Sequence, residues 1–132
     1  MSKMACLCGG IIRDHQVPCP TEAWILRDQD QEAYYHRVIR DVAGFYAAVH
    51  TGHRAAWLAE NFSPEYPSDV SDEDVVNDIL CSRSNPFMLS LAECDACGRL
   101  WVQREPGVNS YRSYAPDVPG YAGVLQVASS NE

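Results

Sequence analysis

Two short cysteine motifs, one near each end of the 132-residue chain, constrain its fold most strongly. In the second motif, Cys94 and Cys97 are separated by two residues, Gly98 follows at once, and the apolar, β-prone residues 100–102 come next. A glycine at this position permits a positive φ, so the backbone can fold back and direct its N–H groups toward the two sulfurs. The pattern therefore predicts a metal-binding knuckle that leads into a β-strand.

One knuckle supplies two ligands, whereas a structural Zn²⁺ ion takes four. The other pair is Cys6 and Cys8, which are separated by one residue and are also followed by glycine. We therefore expect one structural zinc ion bound by Cys6, Cys8, Cys94 and Cys97, although a site of four thiolates can also hold iron. The alternatives are buried thiols without a metal and a redox-active thiol pair. Redox pairs usually begin a helix, so the strand predicted after Cys97 argues against the second alternative.

The long stretch between the two cysteine pairs predicts helices inserted into a small sheet. Residues 28–84 contain two or three segments with helical apolar spacing, and short β-prone runs flank them. We therefore predict an α+β fold, in which both chain ends form a small antiparallel zinc-ribbon sheet and the helices are an insertion. Size predicts a single domain over residues 1–116, and the proline, glycine and serine content of residues 117–132 predicts a weakly ordered tail.

Two of the predicted helices have recognisable starts and faces. Asp28 or Asp30 could cap the first helix, and its polar side should include Asp41. Ser71, followed by three acidic residues, predicts a capped start of the last helix, and we expect Cys81 at the end of that helix to lie in the core. The apolar positions of the first helix predict one buried stripe made of Tyr35, Val38, Ile39, Val42, Phe45, Tyr46 and Val49.

The chain combines a CxCG element at Cys6, Cys8 and Gly9 with a CxxCGRL element at residues 94–100. This arrangement resembles the zinc-ribbon class, whose metal ligands lie on rubredoxin-like knuckles. It is also similar to a group of small bacterial proteins that begin with CxCG and end with CxxCGRL. The resemblance implies metal binding by the four cysteines, and it offers no activity that can be transferred to this chain.

The charge balance bears on the partners that the chain can bind. The formal net charge is −8, and no basic patch is present that could release counterions from nucleic-acid phosphates. We therefore expect a protein partner, with a basic surface, in preference to nucleic acid. An acidic run offers the candidate surface, although such a run is more often a solvent-exposed, capped helix start and less often a cation site. Its members are Asp69, Asp72, Glu73, Asp74 and Asp78.

Targeting signals are not apparent in the sequence. No stretch approaches the roughly 18 apolar residues of a membrane span, and residues 1–6 lack the apolar region of a secretory signal. We therefore expect a cytoplasmic protein without a membrane span. In that compartment six cysteines favour metal binding or free thiols over disulfides.

No catalytic motif accompanies the cysteines. A zinc ion with four cysteine ligands has no open position for water, and the chain contains neither HExxH nor a zinc-deaminase motif. We therefore predict a non-enzymatic structural-zinc protein that binds a protein partner, for example a bacterial immunity or antitoxin-like protein. Two alternatives are a nucleic-acid-associated zinc ribbon linked to transcription and a small enzyme that uses His50, His53 and Asp41 of the central helices.

Overall fold

The computed structural model describes residues 2–14, 16–83, 86–118 and 123–125. Within this part of the chain the fold is α+β, with three helices and two small antiparallel sheets whose strands come from both chain ends. The predicted fold class is therefore confirmed. The chain forms two compact units, one made of Met1–Leu26 with Met88–Glu132 and the other of Arg27–Phe87. That residues 1–116 act as a single domain stays a prediction.

The first unit contains all the described strands. A hairpin of two strands forms one sheet, and four strands in the order β3-β4-β5-β6 form the other. All pairs are antiparallel, with Ala5 opposite Ile11 in the hairpin and Ala92 opposite Trp101 in the larger sheet. The strands are β1 (Ser2–Ala5), β2 (Ile11–Asp14), β3 (Glu22–Leu26), β4 (Met88–Glu93), β5 (Leu100–Gln103) and β6 (Tyr111–Tyr114).

The core of this unit surrounds the cysteines. Cys6 and Ile12 of the hairpin segment pack against Ala92 and Cys94 of the larger sheet, and all four are buried. Met4, Cys97 and Trp101 pack around them. Because this apolar cluster is small, its burial alone gives the unit limited stability, which a metal bound at the cysteines would increase.

The second unit consists of three helices, α1 (Asp28–His50), α2 (Arg54–Asn61) and α3 (Asp72–Ser82). Phe45, Leu58, Val75 and Ile79 form its buried core, one or two from each helix. Among the described residues, none of the helices combines the length and the apolar character that crossing a membrane requires.

The apolar stripe predicted on helix α1 is confirmed in part. Phe45 is buried, and Val42 and Val49 pack against the core of this unit.

Other positions of α1 differ from the prediction. Tyr35, Ile39 and Tyr46 are exposed, whereas Tyr34 and Asp41 are buried. The predicted exposure of Asp41 is therefore wrong, because its carboxylate accepts a hydrogen bond from Arg83, with Nε and Oδ2 2.7 Å apart.

Of the two helix caps predicted from the sequence, the one on α3 is confirmed and the one on α1 is wrong. Ser71 caps α3 as predicted, because its hydroxyl accepts a hydrogen bond from the Asp74 N–H at 3.1 Å. Helix α1 follows Arg27 and has no side-chain cap, and Asp30 pairs with the Arg27 guanidinium at 2.6 Å. Cys81, predicted in the core, is exposed.

Candidate metal centre

The turn between β4 and β5 holds the second cysteine motif in a knuckle. The Cys94 N–H donates to the Arg99 carbonyl at 2.9 Å, and the Gly98 N–H donates to the Cys94 carbonyl at 2.8 Å. Gly98 has a φ of +76°, which lets the chain reverse between the two strands. As a result, Cys94 and Cys97 lie on the same side of the turn, as the spacing predicts.

The hairpin between β1 and β2 repeats this turn with the first motif. The Cys6 N–H donates to the Gly10 carbonyl at 2.9 Å, and the Gly9 N–H donates to the Cys6 carbonyl at 3.0 Å. The Gly10 N–H donates to Cys8 Sγ at 3.3 Å. Gly10 also leaves room for the sulfurs, since a Cβ at this position would lie only 3.3 Å from Cys8 Sγ and from Cys94 Sγ.

The two turns bring the four sulfur atoms together. Cys6 Sγ lies 3.6 Å from Cys97 Sγ, Cys8 Sγ lies 3.7 Å from Cys94 Sγ, and all four sulfurs are within 4.8 Å of one another. A tetrahedral zinc ion with bonds of about 2.3 Å to sulfur places its ligands about 3.8 Å apart. The donor set and the spacing therefore fit a single four-coordinate metal ion.

The four cysteines differ in how far they are buried. Cys6 and Cys94 are buried, Cys97 is partly buried, and Cys8 is exposed. Burial, together with hydrogen bonds to the other thiols, raises the pKa of the Cys94 thiol to about 12. Burial also acts to raise the pKa of Cys6, but hydrogen bonds from the Cys8 backbone and the Trp101 and Cys97 side chains lower it to about 6. A bound divalent cation would displace the protons of the cysteine thiols, because cysteine binds a metal ion as the thiolate.

The residue before Cys94 anchors a segment from the C-terminal region. Glu93 is completely buried, and its Oε2 accepts hydrogen bonds from the Val124 N–H at 2.6 Å and the Leu125 N–H at 3.2 Å. Gly123 has a φ of +102° and lies so close that a Cβ would collide with the Glu93 carboxylate. Residues 123–125 therefore pack against the Glu93 carboxylate. The rest of the predicted weakly ordered tail lies outside the described residues, apart from residues 117–118.

The acidic residues predicted as a partner surface have different surroundings. Asp69, Glu73 and Asp74 are exposed around the start of α3. Asp72 accepts a hydrogen bond from Arg54 Nε at 2.9 Å, and Asp78 accepts one from the Tyr66 hydroxyl at 2.6 Å. The last two carboxylates therefore also hold the helical unit together.

The residues predicted for an enzymatic alternative do not form a metal-ligand cluster within the described ranges. Asp41 pairs with arginines, the His50 ring packs edge-on against Tyr46, and His53 Nδ1 lies 3.1 Å from the Thr51 hydroxyl.

Apart from the four cysteines, the first unit contains a second group of residues whose side chains are of the kinds that bind metal ions. Ligand atoms of Asp14, Cys19 and Glu22 lie within 4.8 Å of one another. Burial and the Asp14 charge raise the pKa of Glu22, while the Cys19 thiol contacts the Thr21 hydroxyl at 3.3 Å.

Two residues near the cysteines, one in sequence and one in space, were not among the site residues predicted from the sequence. Glu93 directly precedes Cys94 at the end of the mostly apolar strand β4, and an acid in such a run was the available signal. Trp101 packs against the cluster that contains Cys6 and Cys94. Strand alternation alone could not distinguish its indole from an ordinary core side chain.

Fold and site together define an α+β protein with a cluster of four cysteines that could bind a metal ion. Residues 2–118 match the family described as a domain of unknown function (DUF8617), and the chain belongs to this family. No curated protein and no solved structure matches the chain.

Proposed function

We propose that the protein is a structural-zinc protein of zinc-ribbon type, in which Cys6, Cys8, Cys94 and Cys97 bind one Zn²⁺ ion. The observation that carries this proposal is the spacing of the sulfurs, 3.6 Å and 3.7 Å for the two closest pairs, which matches the edge of a zinc–thiolate tetrahedron. Four cysteine ligands leave no position for a reacting water, so the proposed role is structural and not catalytic.

The proposed metal connects parts of the chain that are remote in sequence. Cys6 and Cys97 are 91 residues apart, and the hairpin and the larger sheet meet at their sulfurs. By the chain-entropy model, a cross-link over a loop of this length stabilises the folded state by about 4–5 kcal/mol. We therefore expect the zinc ion to hold the first unit in its folded form.

Metal analysis of cysteine variants tests this proposal. Protein purified without added metal is analysed by inductively coupled plasma mass spectrometry, alongside Cys94→Ser and the control Cys81→Ser. Cys81 is exposed on α3 and outside the cluster, so its replacement leaves the ligands intact. We expect one zinc per chain in the wild type and in Cys81→Ser, and none in Cys94→Ser. A metal-free wild type, or retention of zinc by Cys94→Ser, would overturn the proposal.

We further propose that the protein binds a basic protein partner through the start of α3, as an immunity or antitoxin-like protein would. The net charge of −8 and the exposure of Asp69, Glu73 and Asp74 support this proposal. The neighbouring carboxylates of Asp72 and Asp78 have intramolecular partners, so the three exposed acids are the ones to change.

A charge-matched pair of variants tests the proposed surface. Wild-type protein serves as bait in a host lysate beside Asp69→Asn/Glu73→Gln/Asp74→Asn. The control Glu60→Gln/Glu105→Gln/Asp117→Asn removes the same charge from exposed positions elsewhere. We expect a basic partner that is retained by wild type and control, lost with the first variant, and weakened by salt. Equal retention by both variants would exclude this surface.

A further inference from the structure

A buried indole lies beside the cysteine cluster without a conventional hydrogen-bond partner. Trp101 is on β5, opposite Ala92 of β4, and packs against the cluster of Cys6, Ile12, Ala92 and Cys94. Its Nε1 atom is buried, and no acceptor meets it in ordinary hydrogen-bond geometry within the described part of the chain. An indole N–H can only donate, so a buried one without an acceptor destabilises the fold.

The cluster against which Trp101 packs contains two buried sulfur atoms, those of Cys6 and Cys94, which are acceptors of suitable chemistry. A thiolate accepts a hydrogen bond more strongly than a thiol, because it carries the negative charge. The buried indole N–H is therefore suited to a charged sulfur of this cluster.

We propose that Trp101 is a positioning residue for the metal centre, whose indole N–H donates a hydrogen bond to a buried thiolate of the cluster, Cys6 or Cys94, when the metal is bound. This inference rests on the proposed zinc site. The bond would give the buried N–H its acceptor and would withdraw charge from one of the four ligands. Partners of this kind orient metal ligands, and their loss typically reduces metal affinity about 10- to 100-fold.

The first experiment detects the bond in the unmodified chain. Protein loaded with ¹¹³Cd is examined by NMR for a coupling between the metal and an indole N–H proton, which requires a continuous N–H···S–Cd connection. The resonance is assigned with Trp101→Phe, Trp24→Phe and Trp57→Phe. We expect the coupling in the wild type and in the last two variants, and its absence in Trp101→Phe. Failure to detect it at Trp101 in a cadmium-loaded protein would overturn the inference.

The second experiment measures the effect on the ligand itself. In Co²⁺-loaded protein, loss of the N–H donor should shift the thiolate-to-metal charge-transfer band to longer wavelength and reduce Co²⁺ affinity about 10- to 100-fold. The control Trp24→Phe changes a tryptophan of the same unit that is 57% exposed, and should leave both unchanged. An unshifted band in Trp101→Phe would contradict the inference even if the variant is less stable. If neither Co²⁺ nor Cd²⁺ binds the wild type, the proposed zinc site fails and the inference fails with it.

Discussion

Replacing Asp41 by asparagine should destabilise the helical unit strongly, because Asp41 is the buried acceptor of its ion-pair network. The carboxylate is 2.7 Å from Arg83 Nε, 3.3 Å from Arg37 Nε and 3.6 Å from Arg40 Nε. The Asp41 side chain is 8% exposed and that of Arg83 13%, so this pair is poorly screened by water. Asparagine keeps the size of the side chain and removes its charge.

The expected loss is about 3 kcal/mol in the free energy of unfolding. Removing one partner of a buried ion pair typically costs about 3–5 kcal/mol, because the other charge stays buried without compensation. The lower end applies here, since Arg83 also donates to the Asn61 carbonyl and its guanidinium lies over the Phe62 ring. Arg37 and Arg40 are more exposed and should contribute little.

Urea unfolding followed by far-ultraviolet circular dichroism measures this loss, because α1, α2 and α3 all lie in this unit. Arg40→Ala is the control, and its effect should stay within about 0.5 kcal/mol because the side chain is 72% exposed. In a double-mutant cycle, the interaction free energy between Asp41→Asn and Arg83→Met should exceed about 1 kcal/mol. A loss below about 1 kcal/mol for Asp41→Asn would refute the assigned role of the ion pair.

Three further predictions concern pH, helix capping and the C-terminal segment. Burial acts to raise the pKa of Asp41, but hydrogen bonds from arginine lower it overall; its stabilisation should therefore be complete above about pH 4 and lost as pH falls through the lower folded-state pKa. The stability difference between wild type and Asp41→Asn, measured by urea unfolding, should shrink over that acidic range, and a constant difference would contradict this. Ser71→Ala should destabilise the protein by about 1 kcal/mol in thermal unfolding, whereas no change would exclude the cap. Gly123→Ala should displace the segment from Glu93 and accelerate hydrogen exchange at Val124 and Leu125, and unchanged protection would refute the contact.

Several features that the sequence predicted depend on residues close together in the chain. Both cysteine motifs carry a glycine directly after the second cysteine, and the turns at Gly9 and Gly98 have positive φ values. The cap at Ser71 likewise involves a residue three positions away. Because these interactions are local, spacing alone was enough to predict them.

Two features that the sequence missed depend on contacts between remote residues. Asp41 of α1 is buried in an ion pair with Arg83, which is 42 residues away, and apolar spacing carries no information about that pair. The contact between Glu93 and residues 123–125 joins a strand to a segment whose composition predicted weak order. Neither pair could be found from periodicity, since both members are polar or backbone groups.

X-ray absorption spectroscopy at the metal edge identifies both the bound element and its ligand atoms, and it therefore tests the proposed zinc site. We expect zinc with four sulfur neighbours at about 2.3 Å and no nitrogen or oxygen in the first coordination shell. We also expect that the sulfur count falls in Cys8→Ser, which removes the exposed cysteine of the four, while Cys81→Ser keeps all four sulfurs. A wild-type spectrum with fewer than four sulfur neighbours, or with iron in place of zinc, would contradict the proposed site.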